Sequence, residues 1–133
     1  MKAPLLNTTA LAYIGDAVYE VYIRGRIIES GQINADAMHK MSVRYVSAEA
    51  QSKILKKISD CLDEKEHDLV KRARNHKISS KPKNAGPVTY KLATAFEALI
   101  GYLYMTGDKS RLDEILNMAA AAAENGEKNE RSG

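Results

Sequence analysis

Two acidic residues in this 133-residue chain stand in surroundings that do not suit a carboxylate. Asp16 lies in Ala10-Leu11-Ala12-Tyr13-Ile14-Gly15-Asp16-Ala17-Val18-Tyr19-Glu20, where Leu11, Ile14, Val18, Val21 and Tyr22 keep the 3–4 spacing of a buried helical stripe. Glu97 is the one charge in Ala93-Thr94-Ala95-Phe96-Glu97-Ala98-Leu99-Ile100-Gly101. The neighbours of both acids are mostly small or apolar, so a second helix or a ligand can approach closely. A buried carboxylate is costly unless something pairs with it. If the two helices pack together the acids meet, and like charges at close range repel unless a proton or a cation intervenes. A divalent cation held by few carboxylates and several waters is the behaviour of Mg²⁺, with Mn²⁺ a candidate substitute. The alternative is that each acid separately bonds a buried Lys, Arg or helix end.

The distribution of positive charge bears on that choice. Between Asp68 and Glu97 there is no acid, yet Lys71, Arg72, Arg74, Lys77, Lys81, Lys83 and Lys91 all fall there. The segment carries +7 of a net +3, leaving −4 on the remainder. Such segregation predicts one basic surface facing an anion. A magnesium–carboxylate site beside it suits phosphodiester hydrolysis, in which the cation activates water and neutralises developing charge. Lys71, Arg72, Arg74, Lys77, Lys81 and Lys83, with Asn75 and His76 in support, are the candidate phosphate contacts. They would give salt-dependent affinity with little reading of sequence. The plain alternative is a solvated helix face followed by a flexible loop.

The elements that must position these groups are all helical. The first helix is expected over 8–29, with Asn7 as N-cap and Gly31 as its stop. A short helix over 35–41 follows Asn34. A third, over 47–60, buries Ala50, Ile54, Leu55 and Ile58. Asp63 and Glu66 can form a capping box for a fourth, with Leu69, Val70 and Ala73 inward. Periodicity then fails over 76–88, where two prolines, a glycine and several turn formers mark a long basic loop. Thr89 can cap an apolar fifth helix to 105, and Ser110 with Asp113 can open a sixth. No segment alternates with period two. The fold class is all-α: one domain over 1–123, then a charged tail over 124–133 expected to fray.

Composition narrows the setting. Hydrophobic residues at 44% and charged residues at 28% describe a soluble globular chain. No apolar run approaches the ~18 residues of a spanning helix, and the N-terminus lacks a signal-peptide core. The lone Cys61 leaves no internal disulfide and fits a reducing compartment, so a cytoplasmic protein without a membrane partner is expected. Glu64 and His67 supply a single Glu-x-x-His, where a di-iron bundle needs two. Asp36 and His39 read as surface residues. Glu20 could reach the Asp16 site or pair with Arg24, and the ion pair is the preferred reading. Glu49 could approach the acids or serve the first turn of its own helix.

At the level of motifs, Ile14-Gly15-Asp16-Ala17-Val18 resembles the Leu-Gly-Asp-Ala-Val core of the ribonuclease III signature. Phe96-Glu97-Ala98-Leu99-Ile100-Gly101 resembles that family's second acidic motif, in the matching order. The chain ends where the family's double-stranded-RNA-binding domain would begin, which makes it look like the short, Mini-ribonuclease III branch. The stretch from Arg74 to Asn84, then Thr89-Tyr90-Lys91, is similar to the loop of that branch. The resemblance implies an all-helical endonuclease domain working as a homodimer on double-stranded RNA, each subunit cutting one strand to leave 5′-phosphates. It implies maturation of a 23S ribosomal RNA precursor, with a ribosomal protein as a further candidate partner. Asp16 and Glu97 fall on the family's magnesium-binding catalytic acids. Three other acids of the pattern are replaced, by Thr9, Ala12 and Thr94. The number of metal ions is thereby left open, and a catalytically weak, RNA-binding relative stands as the competing reading.

Overall fold

Asn7 opens the described part of the chain, its side chain accepting from the Ala10 amide at 3.0 Å to cap α1 (Thr8–Glu29). The computed structural model describes residues 7–76 and 86–132, with side chains as far as residue 126. Five helices follow: α2 (Ala35–Val46), α3 (Ala48–Ile58) with a 3-10 turn at Ser59–Cys61, α4 (Glu64–Arg74), α5 (Pro87–Met105) and α6 (Lys109–Ser132). No strand occurs among the described residues, and no helix there is long and apolar enough to cross a membrane. The all-α expectation holds.

Helix α5 is the axis of the fold. Ala93, Ala95, Phe96, Ala98, Leu99, Ile100, Gly101 and Leu103 are all buried, and a helix apolar on nearly every side belongs in the interior. It packs against α1, α3, α4 and α6. Its crossing with α1 is set by glycine on both helices. A Cβ on Gly15 would overlap the Glu97 carbonyl oxygen, and one on Gly101 would overlap that of Leu11. Backbone therefore meets backbone, and Gly15 and Gly101 lie beside the residues that carry the acids. Gly15→Ala or Gly101→Ala should push the helices apart at a site with no room to yield. Overpacking of this kind costs about 1–3 kcal/mol, which urea unfolding would show as a lower midpoint at unchanged slope.

Several sequence expectations shift in detail. The buried stripe of α1 is Leu11, Gly15, Tyr19, Ile23 and Ile27, whereas Val21 is 73% exposed. The close glycine contact turns the 11-15-19-23-27 row inward and leaves Tyr13, Ala17 and Val21 outside. In α3 the buried row contains Gln51 and Ser52 with Ile54, Leu55 and Ile58, while Ala50 is only half-buried. Helix α2 continues to Val46, beyond the expected 41, because Met38, Met41, Tyr45 and Val46 pack on the core edge. Helix α5 starts at Pro87 rather than after Thr89, since proline is favourable at the first helical position. Asp108, not Ser110, caps α6 by accepting from the Arg111 amide.

Helix α6 also runs on to Ser132, through residues where fraying is expected. Its later turns are tied to the body of the protein. Arg26 reaches Glu124 at 2.7 Å, Tyr22 donates to Asn117 at 2.6 Å, and Lys57 Nζ donates to the Ala122 carbonyl. The Asp63–Glu66 capping box forms as expected, and it has a second role. Glu66 is 2% exposed, and Arg111 grips both its oxygens at 2.7 and 2.8 Å, joining α4 to α6. That bidentate pair holds the Glu66 carboxyl below the usual carboxylate range.

Candidate active site

The α1–α5 crossing delivers Asp16 and Glu97 to the same place. Asp16 is exposed and Glu97 half-buried, close enough that Asp16 acts directly on the Glu97 carboxyl. Glu97 is pushed up to about 8. Burial is the main cause; the hydrogen bond to Asp16 and its negative charge come next, and Glu20 adds a smaller push. The Gln51 side chain acts in the opposite sense. Burial and the neighbouring acids, rather than a Lys or Arg, dominate the state of the Glu97 carboxyl.

What surrounds the acids matters as much as the acids. Tyr19 and Phe96 stack edge-to-face with centroids 4.9 Å apart, and the Tyr19 hydroxyl donates to the Tyr45 carbonyl at 2.9 Å. This fixes the turns of α1 and α5 that bear Asp16 and Glu97. Ala12, one turn before Asp16, is buried in the core, and Thr94, one turn before Glu97, is half-buried. Glu20 pairs with Arg24 at 3.0 Å, as expected, although its charge is still felt at Glu97. Glu49 is exposed in the first turn of α3 and pairs with Lys53 at 3.3 Å. Asp36, His39, Glu64 and His67 are exposed. Among the described residues no group of three or more His, Cys, Asp or Glu is placed to hold a metal ion.

The donor set fits a hard divalent cation. Two oxygen donors without His or Cys, meeting at the solvent edge with excess negative charge, match an ion that keeps most of its own waters. One further group stands out. Gln51 Oε1 is buried and has no hydrogen-bond partner, a state few buried polar atoms adopt. Sequence reasoning missed Gln51, although a signal was present: it precedes Ile54 and Leu55 by three and four residues, on the apolar stripe of α3.

The basic residues divide into two groups. Lys71, Arg72 and Arg74 are exposed on the last turns of α4, followed by exposed Asn75 and His76. Lys77, Lys81 and Lys83, and most of the 76–88 loop, lie outside the described residues. His76 Nε2 lies 3.4 Å from Thr9 Oγ1, which anchors the basic end of α4 to α1. Thr9 and Asp16 are seven residues apart, so they share a helix face at a separation of roughly 10 Å. The carboxylate pair and the end of α4 therefore open on one surface. A separate cleft of about 540 Å³, lined by Arg44, Lys53, Lys57 and the turns around Ala122, includes neither acid.

Comparison with known proteins agrees with this geometry. The Ribonuclease III domain family matches residues 9–108. The chain is similar to the Mini-ribonuclease 3 of Symbiobacterium thermophilum, 45% identical over 122 residues, covering 92% of this chain and 94% of that one. It is similar to the Mini-ribonuclease 3 of Enterococcus faecalis, 43% identical over 95% of this chain and 96% of that one. The crystal structure of protein FN1578 from Fusobacterium nucleatum superposes with a TM-score of 0.78 at 35% identity, over 86% of this chain and 92% of that one. A pair of acids held at a glycine crossing, in a helical fold shared along nearly the full length of such relatives, leaves one assignment: the chain belongs to the ribonuclease III family, in its Mini-ribonuclease III branch.

Proposed function

We propose that this endoribonuclease cuts double-stranded RNA with a Mg²⁺ ion held by Asp16 and Glu97, acting as a cytoplasmic homodimer. Mn²⁺ is the natural substitute. The substrate we assign is a stem of the 23S ribosomal RNA precursor, with a ribosomal protein as candidate helper. Residues 1–123 form the catalytic unit in this reading. The observation that carries it is the meeting of Asp16 with a raised Glu97, at the edge of a surface the two share with the basic end of α4.

A divalent ion bound there supplies charge neutralisation at the scissile phosphate and a more acidic water. The protein's own share is positional. Asp16 and Glu97, fixed by the backbone contact at Gly15, define where the ion sits. In this reading Lys71, Arg72 and Arg74 hold the duplex by its phosphates, and Thr94, one turn before Glu97, orients a water. Water attacks phosphorus, the bond to the 3′ oxygen breaks and that oxygen takes up a proton, so each cut leaves a 5′-phosphate on one fragment and a 3′-hydroxyl on the other.

The dimer has support on α1 itself. Tyr13 is 84% exposed, and Tyr13, Ala17 and Val21 form an outward row at four-residue spacing, continued by exposed Ile28. Pairing through this face would shield apolar surface and bring two carboxylate sites onto one duplex.

Long duplex RNA incubated with the protein should be cut with Mg²⁺ and left intact with EDTA. The missing acids at Ala12 and Thr94 favour one rival, a relative that binds RNA without cutting. Binding with no cleavage at any Mg²⁺ concentration would establish that rival instead. Replacing Lys71, Arg72 and Arg74 with alanine should weaken binding and flatten its dependence on salt by up to about three counterions per protomer. An unchanged slope in filter-binding titrations would remove α4 from the RNA surface.

A further inference from the structure

Gln51 occupies a place that an apolar residue would fill at lower cost. It is 2% exposed on the inner row of α3, among Ile54, Leu55 and Ile58. Its Nε2 donates to the Val46 carbonyl at 3.0 Å, just before the Ser47 cap of the helix. That bond anchors the amide to backbone, which limits the ways it can turn. The remaining polar atom, Oε1, is the one buried side-chain atom among the described residues without a partner. The helix that carries it packs on α5, and the Gln51 side chain acts on the Glu97 carboxyl across that contact, favouring its charged form. Leu or Met at this position would complete the row and leave no orphaned acceptor.

We infer that Gln51 is a positioning residue for the cation site: anchored on Val46, it sets the Glu97 carboxylate from the buried side. A water accompanying the cation is the partner its Oε1 lacks. This rests on the metal-site reading given above. The chain presents few acids of its own around Asp16 and Glu97, with Ala12 turned into the core and Thr94 uncharged. A rigid neutral amide behind Glu97 restores orientation that further carboxylates would otherwise provide, without adding negative charge. Groups that orient metal ligands from behind change metal affinity or activity by about 10–100-fold when removed.

The test compares the parent protein with Gln51→Leu and Gln51→Met, the second being closer to glutamine in length and flexibility. Mn²⁺ binding is measured without RNA by electron paramagnetic resonance, together with thermal unfolding and the Mg²⁺ concentration needed for half-maximal cleavage. The expected result is that at least one variant folds with metal-free stability equal to or above the parent. Its Mn²⁺ binding weakens by at least about tenfold, its half-maximal Mg²⁺ rises in parallel, and its RNA binding in EDTA is unchanged. A purely structural glutamine would give the reverse, lower stability with unaltered metal affinity, and that outcome overturns the inference. If the parent binds Mn²⁺ and both variants bind it equally well, Gln51 has no positioning role while the metal site stands. Loss of folding in both variants would likewise make the amide a structural requirement and overturn it. A parent that binds no Mn²⁺ overturns the metal-site reading, and the role of Gln51 with it.

Discussion

Asp16→Asn should abolish RNA cleavage while leaving RNA binding within about threefold of the parent. Asparagine has the shape of aspartate but not its charge, so the α1–α5 crossing at Gly15 has no reason to open. One of the two carboxylates of the proposed cation site is lost, and with it half the charge that would hold the cation. A rate loss of at least about a thousandfold is expected, equivalent to about 4 kcal/mol of transition-state stabilisation. The phosphate contacts proposed for α4 are untouched, so binding should survive. The substitution also removes the negative charge beside Glu97 and offers its carboxylate an N–H donor, so Glu97 should ionise more readily in the variant. Single-turnover cleavage and filter binding on the same preparation test both halves. A variant that still cuts at more than a few per cent of the parent rate would remove Asp16 from the catalytic set.

The second large effect is on pH. Glu97 keeps its proton up to about 8 in the folded, metal-free protein and releases it at the ordinary glutamate value of 4.5 when unfolded. Between those values the folded state binds more protons than the unfolded state. Stability must therefore fall as pH rises from about 4.5 to about 8, the reverse of the usual behaviour of a paired carboxylate. The total loss should be of order 3 kcal/mol, allowing for partial contact with solvent. A metal ion needs the ionised form, so its binding expels this proton and its apparent affinity should climb steeply, approaching tenfold per pH unit, below about 8. Thermal unfolding in EDTA between pH 5 and 8.5 is expected to show a falling Tm that Mg²⁺ restores at the upper end. Glu97→Gln should flatten the profile. A parent Tm that stays level across that range would mean the two acids do not share a proton.

Much of this site was legible from residue types alone. Asp16 and Glu97 are conspicuous because they interrupt apolar, small-residue helices, and that combination signals close packing around a charge. The sequence also separates the basic surface from the acidic remainder, and the Asp63–Glu66 capping box from its spacing. What it could not show depends on helix rotation. The four-residue row through Gly15, rather than the one through Ile14 and Val18, proved to be the innermost face of α1, because backbone contact at a glycine outweighs the bulk of nearby side chains. Glu66 reads as a cap, and only the fold reveals Arg111 beyond it, 45 residues away. Gln51 was masked by its type: an amide in a helix suggests solvent, and its burial becomes visible only when α3 is laid against α5.

The proposed function requires that Asp16 and Glu97 share a divalent cation. Crystals soaked in Mn²⁺ test it directly through anomalous scattering. The expected result is a single site-specific peak between the two carboxyl groups, at ~2.0–2.3 Å from an oxygen of each, with water completing the shell. The same soak of Asp16→Asn should show the peak lost or much reduced. Mn²⁺ density elsewhere, or carboxyl groups that remain hydrogen-bonded to each other at saturating Mn²⁺ and pH above 8, would contradict it.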